Sequence, residues 1–93
     1  MGRLGKHIRS LRQRRGITAS WLAEVLGKTP GYLSRVERRE EIPSAELLCS
    51  MSAILHEKPD VLLELAKSDL LRRTEEQIDR KASEALRLYR RSR

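Results

Sequence analysis

The chain has 93 residues, of which 20 are Lys or Arg and 13 are Asp or Glu, for a formal net charge of +7. That length supports one small domain, and with no Phe, one Trp and two Tyr its core must be aliphatic. A lone Cys49 rules out an internal disulfide, no apolar run approaches the ~18 residues of a membrane span, and the opening MGRLGKHIRS lacks the apolar centre of a signal peptide. A cytoplasmic protein is therefore expected, and the positive charge favours an anionic partner: nucleic acid, a membrane surface or an acidic protein.

In chain order, Leu4, Ile8 and Leu11 recur at helical spacing, and Gly16 follows Arg14 and Arg15 as a left-handed stop. Thr18 caps a second helix that turns Leu22, Ala23 and Leu26 inward and ends at Gly27. Only Lys28 separates that glycine from Thr29, the cap of a third helix with Pro30 in its first position and Leu33 and Val36 facing inward. A short helix, a glycine turn and a second helix make a helix-turn-helix arrangement. Pro43 and Ser44 open a fourth helix, whose Leu47, Leu48, Met51, Ile54 and Leu55 form the broad stripe of an element that closes a bundle. Cys49, on the same helix, is read as core. Pro59 opens a fifth helix at Asp60, with Val61, Leu62, Leu63 and Leu65.

Neither Gly nor Pro follows Pro59, so the remainder is helical almost throughout. Ser68 is one point where the helix could restart. Thr74, spaced from Gln77 as in a capping box, is another. In this tail Leu71, Ile78 and Ala85 recur every seven residues, with Ala82, Leu86 and Tyr89 beside them. The stripe suits packing on its own domain and pairing with a second copy equally well.

Charge divides the chain into three. Residues 1–39 hold ten Lys/Arg and two acids, residues 40–66 one Lys and six acids, and residues 67–93 nine Lys/Arg and five acids. Within the basic segment, the third helix leaves Tyr32, Ser34, Arg35, Arg38 and Arg39 on faces other than the inward one.

The run LGKHIRSLRQRRGITASWLAEVLGKTPGYLSRVERREEIPSAELLCSMSAIL, residues 4 to 55, resembles the DNA-binding domain of the phage-repressor-like (lambda repressor/Cro, XRE) family. IRSLRQRRGIT, LAEVLG, YLSRVE, IPSAELLCSMSAIL and KPDVLLELA match its five helices in order. The resemblance implies an all-α fold: a five-helix lambda-repressor-like helix-turn-helix bundle over residues 1–66. Residues 67–93 lie outside it and form an additional amphipathic C-terminal helix for dimerisation or packing. In that family the third helix enters the major groove, the N-terminus of the second holds the phosphate backbone, and dimers read half-sites ~34 Å apart.

On that reading the candidate DNA-binding residues are Thr18, Ser20, Lys28, Thr29, Gly31, Tyr32, Ser34, Arg35, Arg38 and Arg39. Arg35 has the planar fork that takes guanine O6 and N7 together. Tyr32 presses its ring on a thymine methyl or sends its hydroxyl to a phosphate. Ser34 is a small donor for either, and Gly31 permits close backbone approach. Arg38, Arg39 and Lys28 neutralise phosphates, which gives affinity without sequence choice. Glu37 would be repelled by DNA. The resemblance pairs it with Arg12, so both are expected to form a structural ion pair. For dimerisation the resemblance points to Leu62 and Leu63, and the local pattern to Ile78, Ala82, Leu86 and Tyr89.

The chain also departs from the family. Ala19 replaces a phosphate-binding Gln, leaving that contact to Thr18, Ser20 and backbone amides. Arg39 stands where a glycine is usual, and His56 replaces the glycine after the fourth helix. Trp21 occupies an ordinarily polar position, where it anchors a protein partner or packs over Pro30 or a neighbouring helix.

No other chemistry is legible. His7, His56 and Cys49 are too scattered for zinc, Glu40 and Glu41 have no nucleophile or His nearby in sequence, and there is no glycine-rich phosphate loop. A non-enzyme without cofactor is expected. The favoured function is a sequence-specific transcriptional regulator, a dimeric repressor of a palindromic operator with double-stranded DNA as partner. The alternatives are an antitoxin-like or adaptor protein that grips a protein partner through the C-terminal helix, and a nonspecific architectural or RNA binder.

Overall fold

Apolar residues three and four apart turn this sequence into helices and decide which side of each faces inward. The computed structural model describes residues 2–92. It shows α1 (Arg3–Arg14), α2 (Ala19–Val25), α3 (Pro30–Arg38), α4 (Ala45–Leu55) and α5 (Pro59–Arg91), with no strand among the described residues. The expected all-α helix-turn-helix bundle is what the chain forms.

Three helices start on their own side-chain caps. Thr18 accepts the Trp21 amide at 3.1 Å, Thr29 the Tyr32 amide at 3.1 Å, and Ser44 the Leu47 amide at 3.2 Å. Each satisfies one of the free donors that every helix start exposes. α1 has no such residue, because Gly2 precedes it. Its first turn is capped instead from across the fold: Asp69 of α5, only 2% exposed, accepts from the amides of Arg3 at 3.2 Å and Leu4 at 3.0 Å.

The core gathers Leu4, Ile8 and Leu11 from α1, Leu22 and Ala23 from α2, Leu33 and Val36 from α3, Leu48, Met51 and Leu55 from α4, and Leu62 and Ala66 from α5. Each fully buried leucine contributes about 1.5–3 kcal/mol. α1 packs on α3 and α5, α2 on α3, and α4 on α5. The α1–α3 approach is close enough to require Gly5, where an added Cβ would lie 2.5 Å from the Glu37 carbonyl oxygen. Gly27 turns the chain between α2 and α3 at φ 70°, a conformation that favours glycine.

Three expectations are corrected. Cys49 is exposed, because the buried side of α4 runs through Leu48, Met51, Ser52 and Leu55. The tail does not restart: α5 is unbroken for 33 residues, and Thr74 donates its hydroxyl back to the Leu70 carbonyl at 2.8 Å rather than capping a new helix. The bundle therefore closes with a fifth helix that itself becomes the tail. Leu62 is the third correction. It is fully buried in the core and has no surface to offer a partner.

α5 accounts for the elongated outline of 60 × 25 × 21 Å and a radius of gyration of 17.1 Å. A compact chain of this length has a radius nearer 12 Å. From Leu70 onward every described residue is exposed. No helix among the described residues is long and apolar enough to cross a membrane.

Candidate nucleic-acid interface

The outward side of α3 follows from its inward one. Leu33, Val36 and Glu37 are buried, which leaves Gly31, Ser34, Arg35 and Arg38 exposed and Tyr32 at the boundary. Thr18, Ser20, Lys28, Thr29 and Arg39 are exposed as well. The oxygens of Thr18 and Thr29 accept amide protons within the chain, so each hydroxyl keeps its own proton to donate outward.

Three side chains stack into one patch. The Tyr32 ring centroid lies 5.3 Å from Lys28 Nζ and 5.7 Å from the Arg35 guanidinium carbon, both within cation–π reach. Burial pushes the Tyr32 phenol above its ordinary value; the Glu41 carboxylate adds to that shift and Arg35 opposes it. The hydroxyl thus stays a neutral donor.

The structure places an acid in this patch that the sequence did not mark. Arg35 Nε donates to Glu41 Oε1 at 3.0 Å. Glu41 reaches it because its own amide donates to the Arg35 carbonyl at 3.2 Å, folding the chain back on the end of α3. Glu40 makes that fold possible by adopting a left-handed φ of 58°, whereas Arg39, at the family's glycine position, keeps φ at −114°. α5 holds the strained residue: Arg72 binds the Glu40 carboxylate, and Arg73 donates to the Glu40 carbonyl at 2.6 Å.

Behind the patch, Arg12 Nε donates to Glu37 Oε2 at 3.0 Å and Arg12 Nη2 to Glu37 Oε1 at 3.1 Å. Arg12 also donates through Nη1 to the Ile17 carbonyl at 3.0 Å, so one guanidinium fastens α1, the loop before α2 and α3 together. This two-pronged geometry is the strong form of such a pair. It also keeps the Glu37 charge off the surface.

Residues named for dimerisation divide sharply. Leu62 lies in the core and Leu63 is partly buried against it, while Ile78, Ala82, Leu86 and Tyr89 are exposed. Trp21 is 49% exposed and lines a shallow groove with Gly16, Ile17 and Thr18. Among the described residues no three His, Cys, Asp or Glu side chains group so as to hold a metal.

Sequence reasoning missed Glu41, Glu40, Arg72, Arg73 and Asp69. Their partners are 6 to 66 residues away, and no local spacing marks them.

Two crystal structures are similar to this chain, both of the clp gene regulator ClgR from Corynebacterium glutamicum. One is 38% identical, covers 70% of this chain and 84% of its own, and has a TM-score of 0.58. The other is 38% identical, covers 88% of each chain, and has a TM-score of 0.60. Nothing matches among curated proteins. A family described as "Helix-turn-helix domain" matches residues 3–66. With that match spanning α1, the turn, the exposed face of α3 and the start of α5, the chain belongs to the helix-turn-helix domain family of DNA-binding transcriptional regulators.

Proposed function

We propose that this protein is a dimeric repressor that reads an operator with two-fold symmetry. The observation that carries the reading is the Lys28–Tyr32–Arg35 patch at the exposed side of α3. α3 enters the major groove. Arg35 takes a guanine by its fork, Tyr32 and Ser34 meet neighbouring base edges or phosphates, and Lys28, Arg38 and Arg39 neutralise phosphates. Thr18, Ser20 and Thr29 donate to the backbone from the starts of α2 and α3. At Gly31 an added Cβ would meet nothing nearer than 3.9 Å, so nothing inside the chain demands glycine there. Close approach of DNA does.

The dimer forms through the tail. At 3.6 residues per turn Leu62, Ala66 and Asp69 share the bundle side of α5, while Leu71, Ile78, Ala82, Ala85 and Tyr89 lie roughly opposite. An apolar stripe turned away from its own core is available to a second copy. The same stripe favours a second reading, an antitoxin-like or adaptor protein that grips another protein there.

The solved neighbours are clp gene regulators, so clp gene promoter DNA is the first natural duplex to try. Titration of that duplex and of a random duplex, followed by fluorescence anisotropy at near-physiological salt, tests the reading. An operator reader prefers its site by ~10³-fold or more. If every duplex tried, clp and genomic fragments alike, binds as weakly as random DNA, the adaptor reading takes over.

A further inference from the structure

We propose that Glu41 is a positioning residue for base reading: its carboxylate holds Arg35 by Nε, so that Nη1 and Nη2 face outward as a ready-made fork for one guanine. The proposal rests on the assignment of Arg35 to base reading.

A guanidinium offers five N–H groups in a rigid plane. In this structure one edge of the plane is taken, with Nε 3.0 Å from Glu41 Oε1. The remaining end carries both terminal nitrogens, the pair whose spacing matches guanine O6 and N7. The Tyr32 ring, 5.7 Å from the guanidinium carbon, limits swing on another side. A free arginine at this position, half-exposed, would sample many rotamers and lose them all on binding. One braced at two points has already lost much of that freedom, and rigidity before contact favours the correct partner.

Glu41 is itself held in place. Its amide is bonded to the Arg35 carbonyl, the preceding Glu40 has a left-handed backbone, and Glu40 is gripped by Arg72 and Arg73 of α5. A flexible surface acid needs none of this. A loop whose Glu40 is fixed from α5 and whose Glu41 amide is tied to the end of α3 delivers the Glu41 carboxylate to one place.

The charge has a second effect. Next to Glu41 the Arg35 cation is offset, so its pull on an arbitrary phosphate is weakened while its hydrogen-bonding end stays available to a base. Glu41 therefore lowers binding to random DNA and sharpens choice at one base pair.

The test uses the full chain, a duplex recovered by selection from a random pool, versions of that duplex with each guanine replaced singly, and a random duplex. Arg35→Ala is expected to abolish discrimination at one base pair. Glu41→Ala should reduce discrimination at that same pair about three- to ten-fold, between the weight of an exposed ion pair and that of a whole base contact. Binding of Glu41→Ala to random DNA should be unchanged or tighter, and Arg35→Ala with Glu41→Ala should discriminate no worse than Arg35→Ala alone. Glu41→Gln keeps an acceptor and should retain most of the preference. If Glu41→Ala discriminates as the parent does, or weakens all duplexes evenly, the positioning role is overturned while base reading by Arg35 stands. If Arg35→Ala affects no particular base pair, base reading itself fails and the proposal with it. Thermal melting of each variant, expected to match the parent for these exposed side chains, separates either result from misfolding.

Discussion

Asp69 takes the Leu4 amide at 3.0 Å and so fixes the middle of α5 to the first turn of α1. With Gly2 unable to cap α1, this buried carboxylate is the only side-chain cap that helix has among the described residues. Asp69→Ala should cost about 2 kcal/mol, the weight of a lost cap reinforced by a charged acceptor. Urea denaturation measures it. A variant as stable as the parent would show that water serves α1 equally well.

Arg12 and Glu37 are 13% and 5% exposed at their side chains, so removing one strands the other away from water. Glu37→Ala should cost about 3–5 kcal/mol. Replacing both, as Arg12→Met with Glu37→Leu, should cost clearly less than the two single changes added. Additive losses in that double-mutant cycle would mean the pair is not coupled.

His56 ends α4 at φ 54° with its side chain exposed, and so carries left-handed strain. His56→Gly should stabilise by about 1 kcal/mol, seen as a rise of roughly 4–8 °C in Tm. Glu40 has a similar φ of 58° but its carboxylate binds Arg72, so Glu40→Gly should gain less. Equal gains at both positions would show that the Arg72 contact contributes nothing.

The His7 hydrogen bond, 2.9 Å long, is the chief reason that the Glu57 carboxyl lies below its ordinary pKa of 4.5. A depressed carboxylate stabilises the fold above its unfolded pKa, and that contribution fades as pH falls through the lower folded value. Glu57→Gln should therefore lose less Tm on acidification than the parent, the two curves diverging below about pH 4.5. Parallel curves would remove Glu57 from the acid response.

Arg39 is exposed at the end of α3 and should meet a phosphate. Arg39→Ala should weaken all duplexes alike and lower the salt slope by about one, whereas Arg35→Ala should cost ~1–3 kcal/mol on the true site alone. An unchanged slope for Arg39→Ala makes it a bystander.

What was legible in the sequence is what is decided locally. Thr18 and Thr29 cap helices three residues ahead of them, and Leu33 and Val36 set the inward side of α3 by their spacing, so the turn and its exposed face could be read directly. Cys49 was misplaced because α4 is apolar nearly all round, and spacing then fails to mark the buried side. Asp69 and Glu41 were invisible for a different reason. Each acts through a partner brought near by the crossing of α5 or by the left-handed turn at Glu40, and neither event leaves a periodic trace. Leu62 fell to the core because the apolar side of α5 changes along its length, inward at Leu62 and Ala66 and outward at Ile78 and Tyr89.

Selection of bound sequences from a random double-stranded DNA pool, with the purified full chain at near-physiological salt, tests the central claim most directly. Enrichment of an inverted repeat, with half-sites about 34 Å apart and a guanine in each, is the predicted result. A well-folded protein that enriches no sequence at all would contradict a symmetric operator reader.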